Sequence, residues 1–364
     1  MPAFKPHPDS GILDAPLHEL REHILMARAK NLRLAITGHG SKSFYGRQTL
    51  LETTALSTAP LHGIVDYEPT ELVITARAGT PLAELEKVLT RHGQMLLCEP
   101  PQFGDRGTVG GAVSTGLSGP RRAYAGALRD FVLGVQVIDG RGDLLRFGGR
   151  VIKNVAGFDA AWLMVGAMGT LGLITEVTLK TQPVAAHSIT LVLECDATDA
   201  LARLSAWRSR PLPISGTCHH DGHLYVRLCG AAVAVREAQQ TIGGEELPEA
   251  ASLWRALRDH THAFFRPSAP LWRLSVPATT PHLALPQPQL IEWGGAQRWL
   301  CGEVDVQALR DQLQPLGGHV TCFRTPLRGE SFDPLHPLPP ALHAAHQRVK
   351  HVFDPLALLN PGRL

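Results

Sequence analysis

The sequence predicts an α+β fold in which helices and strands form more than one domain. The chain has 364 residues, which is enough for two domains that each bury a core. Its first half alternates short strands with helices and is punctuated by glycine. From about residue 184 glycine loops become rarer, and histidine and proline become more frequent, which indicates a second, smaller α+β domain.

Strand and helix signals are clearest in the first half. Apolar spacing predicts a helix over residues 17–29, and Gly79-Thr80-Pro81 predicts a helix start with Thr80 as N-cap and Pro81 at the first helical position. Asp139-Gly140-Arg141-Gly142 lies between two apolar runs, which predicts a β-hairpin. Strands are predicted over 32–37, 71–78, 131–138, 143–147 and 171–181.

In the second half, strands are predicted over 187–194 and 224–228 and helices over 197–208, 231–240 and 304–314. The second domain is expected to end near Cys322. A proline-rich connection, 326–340, precedes a last helix over 341–352 and a short tail.

Composition and charge exclude several classes of protein. Apolar residues make up 44% and charged residues 19%, which is typical of a globular protein. The net charge of +2 does not indicate a basic surface for nucleic acid. The most apolar stretch, 158–174, is broken by Asp159 and by glycines, so no spanning helix is predicted. The N-terminus lacks the order of a signal peptide. These observations favour the cytoplasm and leave docking onto a membrane complex open.

The six cysteines are scattered, without a C-x-x-C pair, which is typical of reduced and mostly buried thiols. A four-cysteine iron–sulfur cluster within this chain is therefore not expected. If electrons leave through such a cluster, a partner carries it.

Three glycine-dense segments carry most of the functional information. The first, 37–46, follows a strand, and its glycines allow consecutive backbone N–H groups to face one phosphate or pyrophosphate. The second, 105–122, combines glycines with the hydroxyl side chains of Thr108 and Ser114, and the third, 166–177, has glycines before a strand. None matches a P-loop, and the spacing of Gly104, Gly107 and Gly110 does not match a Rossmann fingerprint. A nicotinamide dehydrogenase is therefore disfavoured.

The order of these segments resembles the FAD-binding domain of the vanillyl-alcohol oxidase and p-cresol methylhydroxylase (PCMH) superfamily. The matching motifs are Gly38-His39-Gly40-Ser41, Thr108-Val109-Gly110-Gly111, residues 169–175 (GTLGLIT), and Phe353-Asp354-Pro355 with Asn360-Pro361-Gly362. The resemblance implies a two-subdomain PCMH-type FAD-binding domain over 1–182. It also implies a small α+β substrate or cap domain over 183–325 and a C-terminal segment, 326–364, that returns to the FAD domain.

Within that superfamily the chain is most similar to the smaller flavin-binding subunits of bacterial glycolate oxidases. Residues 151–159 (VIKNVAGFD), residues 317–324 (GGHVTCFR) and the short second domain support this similarity. It implies non-covalent FAD, a small 2-hydroxy acid such as glycolate as substrate, a larger paralogous FAD subunit and an iron–sulfur subunit. Attachment at the inner membrane through the complex stays open.

The resemblance also implies roles for individual positions. The first loop should hold the pyrophosphate, the second should line the pyrophosphate and the isoalloxazine, and Arg121 or Arg122 should complement phosphate or flavin N1. Ile174 should contact the adenine end through its backbone, and Asn360 should return to the flavin. The implied cofactor-binding residues are Gly38, His39, Gly40, Ser41, Lys42, Thr108, Gly110, Gly111, Ser114, Gly116, Gly119, Arg121, Arg122, Gly169, Gly172, Ile174 and Asn360.

Other candidates have plainer interpretations. His39 does not stand in the G-G-H order typical of covalent flavin attachment, and residues 219–223 (HHDGH) are interpreted as a hairpin turn rather than a metal site. The metal-binding segment of related 2-hydroxy-acid dehydrogenases is missing. Trp162, Leu163, Val165 and Met168 are interpreted as packing. The histidines of the last helix, His343, His346 and His351, are interpreted as a solvated face.

Arg227, Arg273 and Arg324 are candidate carboxylate clamps, because a guanidinium binds a carboxylate through two parallel hydrogen bonds. The catalytic base remains unassigned. The resemblance leaves three functions open: a catalytic FAD subunit of glycolate oxidase, a flavin-bearing structural or electron-relay subunit whose larger paralogue performs the chemistry, and another flavoenzyme of the superfamily such as a sugar or aryl-alcohol oxidase.

Overall fold

The computed structural model describes residues 14–48, 52–149, 160–285, 287–325 and 333–363. These residues form a mixed fold of helices and mostly antiparallel strands, which confirms the predicted α+β class. The strands are β1 (Leu34–Thr37), β2 (Thr54–Ser57), β3 (Ile64–Glu68), β4 (Val73–Arg77), β5 (Gln94–Met95), β6 (Val132–Ile138), β7 (Leu144–Gly148), β8 (Leu173–Lys180), β9 (Gln182–Pro183), β10 (His187–Glu194), β11 (Ile214–His220), β12 (His223–Gly230), β13 (Glu245–Glu246), β14 (Leu271–Ser275), β15 (Gln289–Glu292), β16 (Gln297–Cys301) and β17 (His319–Arg324). The helices are α1 (Ala15–Lys30), α2 (Leu82–Arg91), α3 (Val109–Thr115), α4 (Arg122–Ala125), α5 (Ala161–Met164), α6 (Ala197–Trp207), α7 (Ala232–Ile242), α8 (Ala251–Arg258), α9 (Val306–Leu313) and α10 (Pro340–Phe353).

Strands β3, β4, β8, β6 and β7, in that order, form what we call the first sheet within the described residues. Neighbouring strands are antiparallel, and β6 and β7 form the predicted hairpin with Ile138 opposite Leu144. The core of this sheet packs against α2 and α3, where Leu85 and Val113 are fully buried.

A separate layer lies at the amino-terminal end of the chain. Strands β1 and β2 pair in parallel, and α1 covers them with one apolar face. Asp14 caps α1, since its side chain accepts a hydrogen bond from the backbone N–H of Leu17. Ile138 and Leu173 of the first sheet complete the same core, so this layer sits directly beside that sheet.

The remaining large sheet, here the second sheet, has the described order β13, β10, β12, β11, β15, β16, β14, β17. Because side chains alternate between the faces of a strand, Trp272 and Leu274 point to an outer face covered by α9. Arg273 lies between Trp272 and Leu274 and therefore points to the opposite face. On that inner face Trp299 and Phe323 pack against Leu117 and other loop residues of the first half.

The C-terminal segment runs back to the amino-terminal layer. Phe353 at the end of α10 enters the core of the first sheet. The Leu34 N–H donates to the carbonyl oxygen of Leu358 (2.8 Å), and the Asn360 N–H donates to the carbonyl oxygen of Leu34 (2.9 Å). The predicted domain boundaries at residues 182 and 325 stay predictions; the first sheet ends at Lys180 and the second begins with β10.

Asp354 organises this return. Its carboxylate accepts hydrogen bonds from the N–H groups of Leu358 (3.1 Å) and Leu359 (2.7 Å) and from the ammonium of Lys350 (2.6 Å). We expect Asp354→Ala to lower the free energy of unfolding by about 2 kcal/mol, because two buried N–H groups lose their acceptor and the Lys350 ammonium loses its counter-charge. Urea denaturation measures this change. The exposed Asp311→Ala should change it by less than about 0.5 kcal/mol; equal effects of the two variants would contradict the prediction.

Two local predictions are wrong. Thr80 does not cap α2, which begins at Leu82 after Pro81, because its buried hydroxyl instead donates to the carbonyl of Gly63 and accepts from its N–H (3.0 Å each). Trp162 and Leu163 are not packing residues: they are 47% and 45% exposed. The single turn of α5 buries Ala161 and Met164, which leaves the two residues between them outside. The VIKNVAGFD motif, 151–159, lies outside the described residues.

No helix in the described parts of the chain combines the length and apolar character needed to cross a membrane.

Candidate functional site

A groove of about 260 Å³ opens between the amino-terminal layer and the first sheet. Its walls come from the segment after β1, from α3, from the bend before β8 and from the C-terminal tail. The predicted residues that line it are Gly38, His39, Gly40, Ser41, Lys42, Thr108, Gly110, Gly111, Ser114, Gly169, Gly172, Ile174 and Asn360. The three separate glycine segments therefore meet at one place.

The segment after β1 offers unused hydrogen-bond donors. None of the backbone N–H groups from His39 to Lys42 donates to another described residue, and Gly40 takes a positive φ of 73° that turns the chain. A run of free N–H groups in a turn is a typical anion-binding arrangement. The loop can therefore hold a phosphate through its backbone.

Lys42 adds a positive charge to this loop. The residue is only 6% exposed, and its ammonium has no hydrogen-bond partner among the described residues. The ammonium lies 5.6 Å from the ring centroid of Phe103. Burial lowers the pKa of Lys42 from 10.5 to about 8, and the negative charge of Asp259 partly opposes this shift. A buried cation without a partner indicates a site for an anion.

The α3 segment lies close to the first loop because it has little side-chain bulk. A Cβ atom on Gly38 would lie 2.6 Å from the Thr108 hydroxyl, and one on Gly110 would lie 2.7 Å from the Cβ of Ala78. The Thr108 hydroxyl also caps α3 by accepting from the N–H of Gly111 (3.1 Å). Glycine is thus required at position 38 by the approach of the first loop to Thr108, and at position 110 by the approach of α3 to Ala78.

Asn360 connects the third glycine segment, 166–177, to β1. Its amide donates to the carbonyl of Met168 (2.6 Å), and its Oδ1 accepts from the N–H of Ile36 (2.6 Å). Gly169 is adjacent, and a Cβ there would lie 2.7 Å from the Asn360 Nδ2. Asn360 lines the groove, but both ends of its amide already bond to backbone groups, so it shapes the wall.

Four predicted residues lie away from this groove. Gly116 ends α3 with a φ of 63° and approaches Gly166, and Gly119 lies against the carbonyl of Glu99. Arg121 donates to the Glu99 carboxylate (2.9 Å), which neutralises its charge. Arg122 stacks over Trp293, 4.6 Å from the ring centroid. Gly119, Arg121 and Arg122 lie in the segment after α3 that contacts the second sheet, whereas Gly116 packs against the first half of the chain.

Glu99 ties that contact together. Besides Arg121, it receives a two-pronged pair of hydrogen bonds from Arg227 of β12 (2.9 and 3.0 Å). The side chains of Glu99 and Arg227 are 12% and 7% exposed. Arg227 is therefore committed to a structural ion pair, which removes it from the candidate carboxylate clamps.

Sequence reasoning missed several groove residues. Ser43, Gln48, Thr53 and Arg363 also line it. Arg363 donates to the carbonyl of Tyr45 (2.8 Å), so it also helps to hold the loop that follows β1 in place. Position 363 is the residue after the N-P-G motif, and that adjacency is the one signal that could have indicated it.

The HHDGH segment is the predicted hairpin turn. Asp221 and Gly222 have φ values of 50° and 73°, as a type I′ turn between β11 and β12 requires. His219 and His220 bond to carbonyls of Cys195 and Gln289, respectively. No cluster of three or more His, Cys, Asp or Glu side chains suited to a metal occurs in the described part of the chain.

Comparisons with known proteins agree with this geometry. The family model of an FAD binding domain matches residues 17–148. Glycolate oxidase subunit GlcE of Escherichia coli strain K12 is 43% identical over 345 residues, covering 95% of this chain and 96% of that protein. Glycolate oxidase subunit GlcD of Bacillus subtilis strain 168 is 26% identical over 202 residues, covering 56% of this chain and 43% of that protein.

A solved structure of alkyldihydroxyacetonephosphate synthase covers 95% of this chain and 74% of its own, with a TM-score of 0.68 and 15% sequence identity. That similarity shows a shared fold.

Proposed function

Because this chain belongs to the family of the glycolate oxidase subunit GlcE, we propose that it binds FAD non-covalently in the groove and serves as an FAD-dependent subunit of glycolate oxidation. In this role glycolate, or a similar 2-hydroxy acid, is converted to the 2-oxo acid, and electrons pass to partner subunits. Bound FAD would supply the acceptor for the hydride that leaves the Cα of the acid.

The main support for this proposal is the ammonium of Lys42. It lies at the wall of a glycine-lined groove and has no partner among the described residues. The diphosphate of FAD is negatively charged and would complement the Lys42 ammonium. The free N–H groups of His39 to Lys42 supply directional donors for its oxygens. Gly110 and Gly111 of α3 line the same groove. Gly172 and Ile174 also line the groove, and we expect the backbone of Ile174 to contact the adenine.

The homologues are named as subunits of one enzyme, so this chain acts within a multisubunit glycolate oxidase. We propose a larger paralogous FAD subunit and an iron–sulfur subunit as its partners. The six cysteines of this chain support a partner-borne cluster, because all are free thiols and none joins a metal-binding group within the described residues. Attachment to the inner membrane would then occur through the complex.

The test is direct. We expect the purified chain to bind FAD and turn yellow, and anaerobic glycolate to bleach the flavin absorbance at about one equivalent. Ethylene glycol, which lacks the carboxylate, is the matched control and should leave the colour. Bleaching that requires an added partner subunit would support the electron-relay alternative. A chain that takes up no added FAD would contradict both.

A further inference from the structure

Helix α10 (Pro340–Phe353) buries much less of its length than the other long helices of the described structure. Of its 14 residues, Phe353 alone is buried. By comparison, α1 buries four of 16 residues and α7 buries three of 11. A helix that packs on a protein body normally buries a whole apolar stripe. Most of the surface of α10 therefore remains accessible.

The accessible surface of α10 includes an apolar stripe. Its apolar residues recur at intervals of three or four positions, which places them on one side of the helix: Ala341, Leu342, Ala345, Val349 and Val352. Val349 packs against the core of the first sheet. Leu342 and Val352, however, are 45% and 58% exposed. This spacing is the one by which two helices pair along a seam, and small alanines in the stripe allow a second helix to approach closely.

The charges on α10 have one sign. The helix contains Arg348, Lys350 and three histidines but no Asp or Glu. Lys350 is already paired with Asp354 (2.6 Å), whereas Arg348 is exposed and forms no ion pair with another described residue. Arg348 lies four positions before Val352, so it borders the apolar stripe. A helix with acidic side chains beside its own apolar stripe would complement this surface in both shape and charge.

Two other occupants fit this surface less well. In a pair formed by two copies of α10, neither helix would offer a carboxylate for Arg348 of the other. An anionic membrane surface typically attracts clusters of about four to eight Lys and Arg residues. Helix α10 has two, and the Lys350 charge is already neutralised by Asp354. The surface therefore favours a protein helix of opposite charge.

We propose that α10 is the docking surface for another subunit of the complex. An acidic amphipathic helix of that subunit packs along Leu342, Ala345 and Val352, and one of its carboxylates pairs with Arg348. This inference rests on the proposed function only for the existence of partner subunits. None of these four residues lines the groove, so assembly through α10 and FAD binding can be tested separately.

Calorimetry of the purified chain against the remaining subunits of the same complex, purified without it, measures the affinity. Leu342→Asp should weaken binding at least about 30-fold, because it places a charge in an apolar contact. Arg348→Glu should weaken it about tenfold, because it replaces attraction by repulsion. The matched controls lie on α7, where Val233 is 59% exposed and Arg236 is also exposed. Val233→Asp and Arg236→Glu should stay within about threefold of the wild type.

A conservative variant identifies the occupant. Arg348→Lys keeps the charge and supplies a primary amine, which a carbodiimide reagent joins to a carboxylate in contact with it. Mass spectrometry of the cross-linked complex should find position 348 joined to an Asp or Glu on a helix of a partner subunit. Arg236→Lys should give no link to a partner. A link from position 348 to a second copy of this chain, or to a carboxylate of the same chain, would overturn the proposal.

Other results would also overturn it. One is equal affinity of the wild type, Leu342→Asp and Arg348→Glu for the remaining subunits, and another is no binding by the wild type. A third is sedimentation of the isolated chain, dependent on Leu342, with vesicles of phosphatidylethanolamine and about a quarter phosphatidylglycerol. That result would assign α10 to a membrane surface.

Flavin absorbance, recorded on every variant, distinguishes this inference from the proposed function. Variants that keep FAD but lose partner affinity support the docking surface. If Leu342→Asp loses FAD as well, the variant is misfolded, and the cross-link from Arg348→Lys decides. A chain that takes up no FAD yet binds its partners through Leu342 would contradict the proposed function alone.

Discussion

Replacing Lys42 by methionine is expected to weaken FAD binding by about 10- to 150-fold. The ammonium is buried at the groove without another partner, and a charge-assisted hydrogen bond contributes about 1.5–3 kcal/mol. Methionine keeps the length and apolar stem of lysine but removes the charge. Titration of the chain with FAD, followed by flavin fluorescence, measures the affinity.

The same substitution should stabilise the FAD-free protein. Burial holds the pKa of Lys42 at about 8 in the folded chain, below the ordinary 10.5. Below pH 8 the folded state therefore carries the full cost of a buried charge, about 3 kcal/mol. Between pH 8 and 10.5 the unfolded chain binds more protons, so the stability of the wild type rises with pH relative to Lys42→Met. Urea denaturation at pH 7 and pH 10 would show the two proteins converging.

Lys87→Met is the matched control, because Lys87 is an exposed lysine on α2. It should change neither FAD affinity nor the pH dependence of stability. If Lys42→Met bound FAD as tightly as the wild type, the lysine would not contact the diphosphate, and the main support for the groove as the FAD site would be lost.

Replacing Glu99 by glutamine is expected to lower the free energy of unfolding by about 3–5 kcal/mol. The carboxylate accepts from both Arg121 and Arg227, and its removal leaves two buried guanidinium groups without a counter-charge. Because Arg227 belongs to the second sheet while Glu99 precedes α3, the loss should loosen the contact between the two halves. Urea denaturation measures the stability.

Two comparisons isolate the buried charge as the cause. Glu84→Gln removes a carboxylate from an exposed pair with His62 and should cost less than about 1 kcal/mol. Adding Arg227→Met to Glu99→Gln should recover part of the stability, because one uncompensated charge is then gone. A Glu99→Gln protein as stable as Glu84→Gln would show that the buried ion pair does not hold the contact.

Much of the groove was predictable because its residues lie in short, contiguous motifs. Gly38 to Lys42, Thr108 to Gly111 and Gly169 to Ile174 were each recognisable from local glycine spacing, and their resemblance to the glycolate oxidase flavin subunits is confirmed by the relatives. The individual roles of these residues toward FAD stay predictions. Helix and strand positions also followed from local periodicity, as for the hairpin of β6 and β7.

Predictions from local sequence failed where a residue distant in the sequence binds the side chain in question. Thr80 had the right type and position for an N-cap, but the buried backbone of Gly63 binds its hydroxyl instead. Arg121 stood beside the glycine segment, yet Glu99 binds it. Trp162 looked like a core residue by its apolar neighbours, although one turn of helix can bury only one side.

The sequence by itself determined the family, the fold class and the three glycine segments, because these depend on backbone freedom and on residue spacing within about ten positions. The tertiary structure decided which charges are left without partners. The Lys42 ammonium has no partner among the described residues, whereas neighbours from distant parts of the chain neutralise Arg121, Arg227 and Arg258. Charge pairing depends on distance in space, and only the folded chain sets that distance.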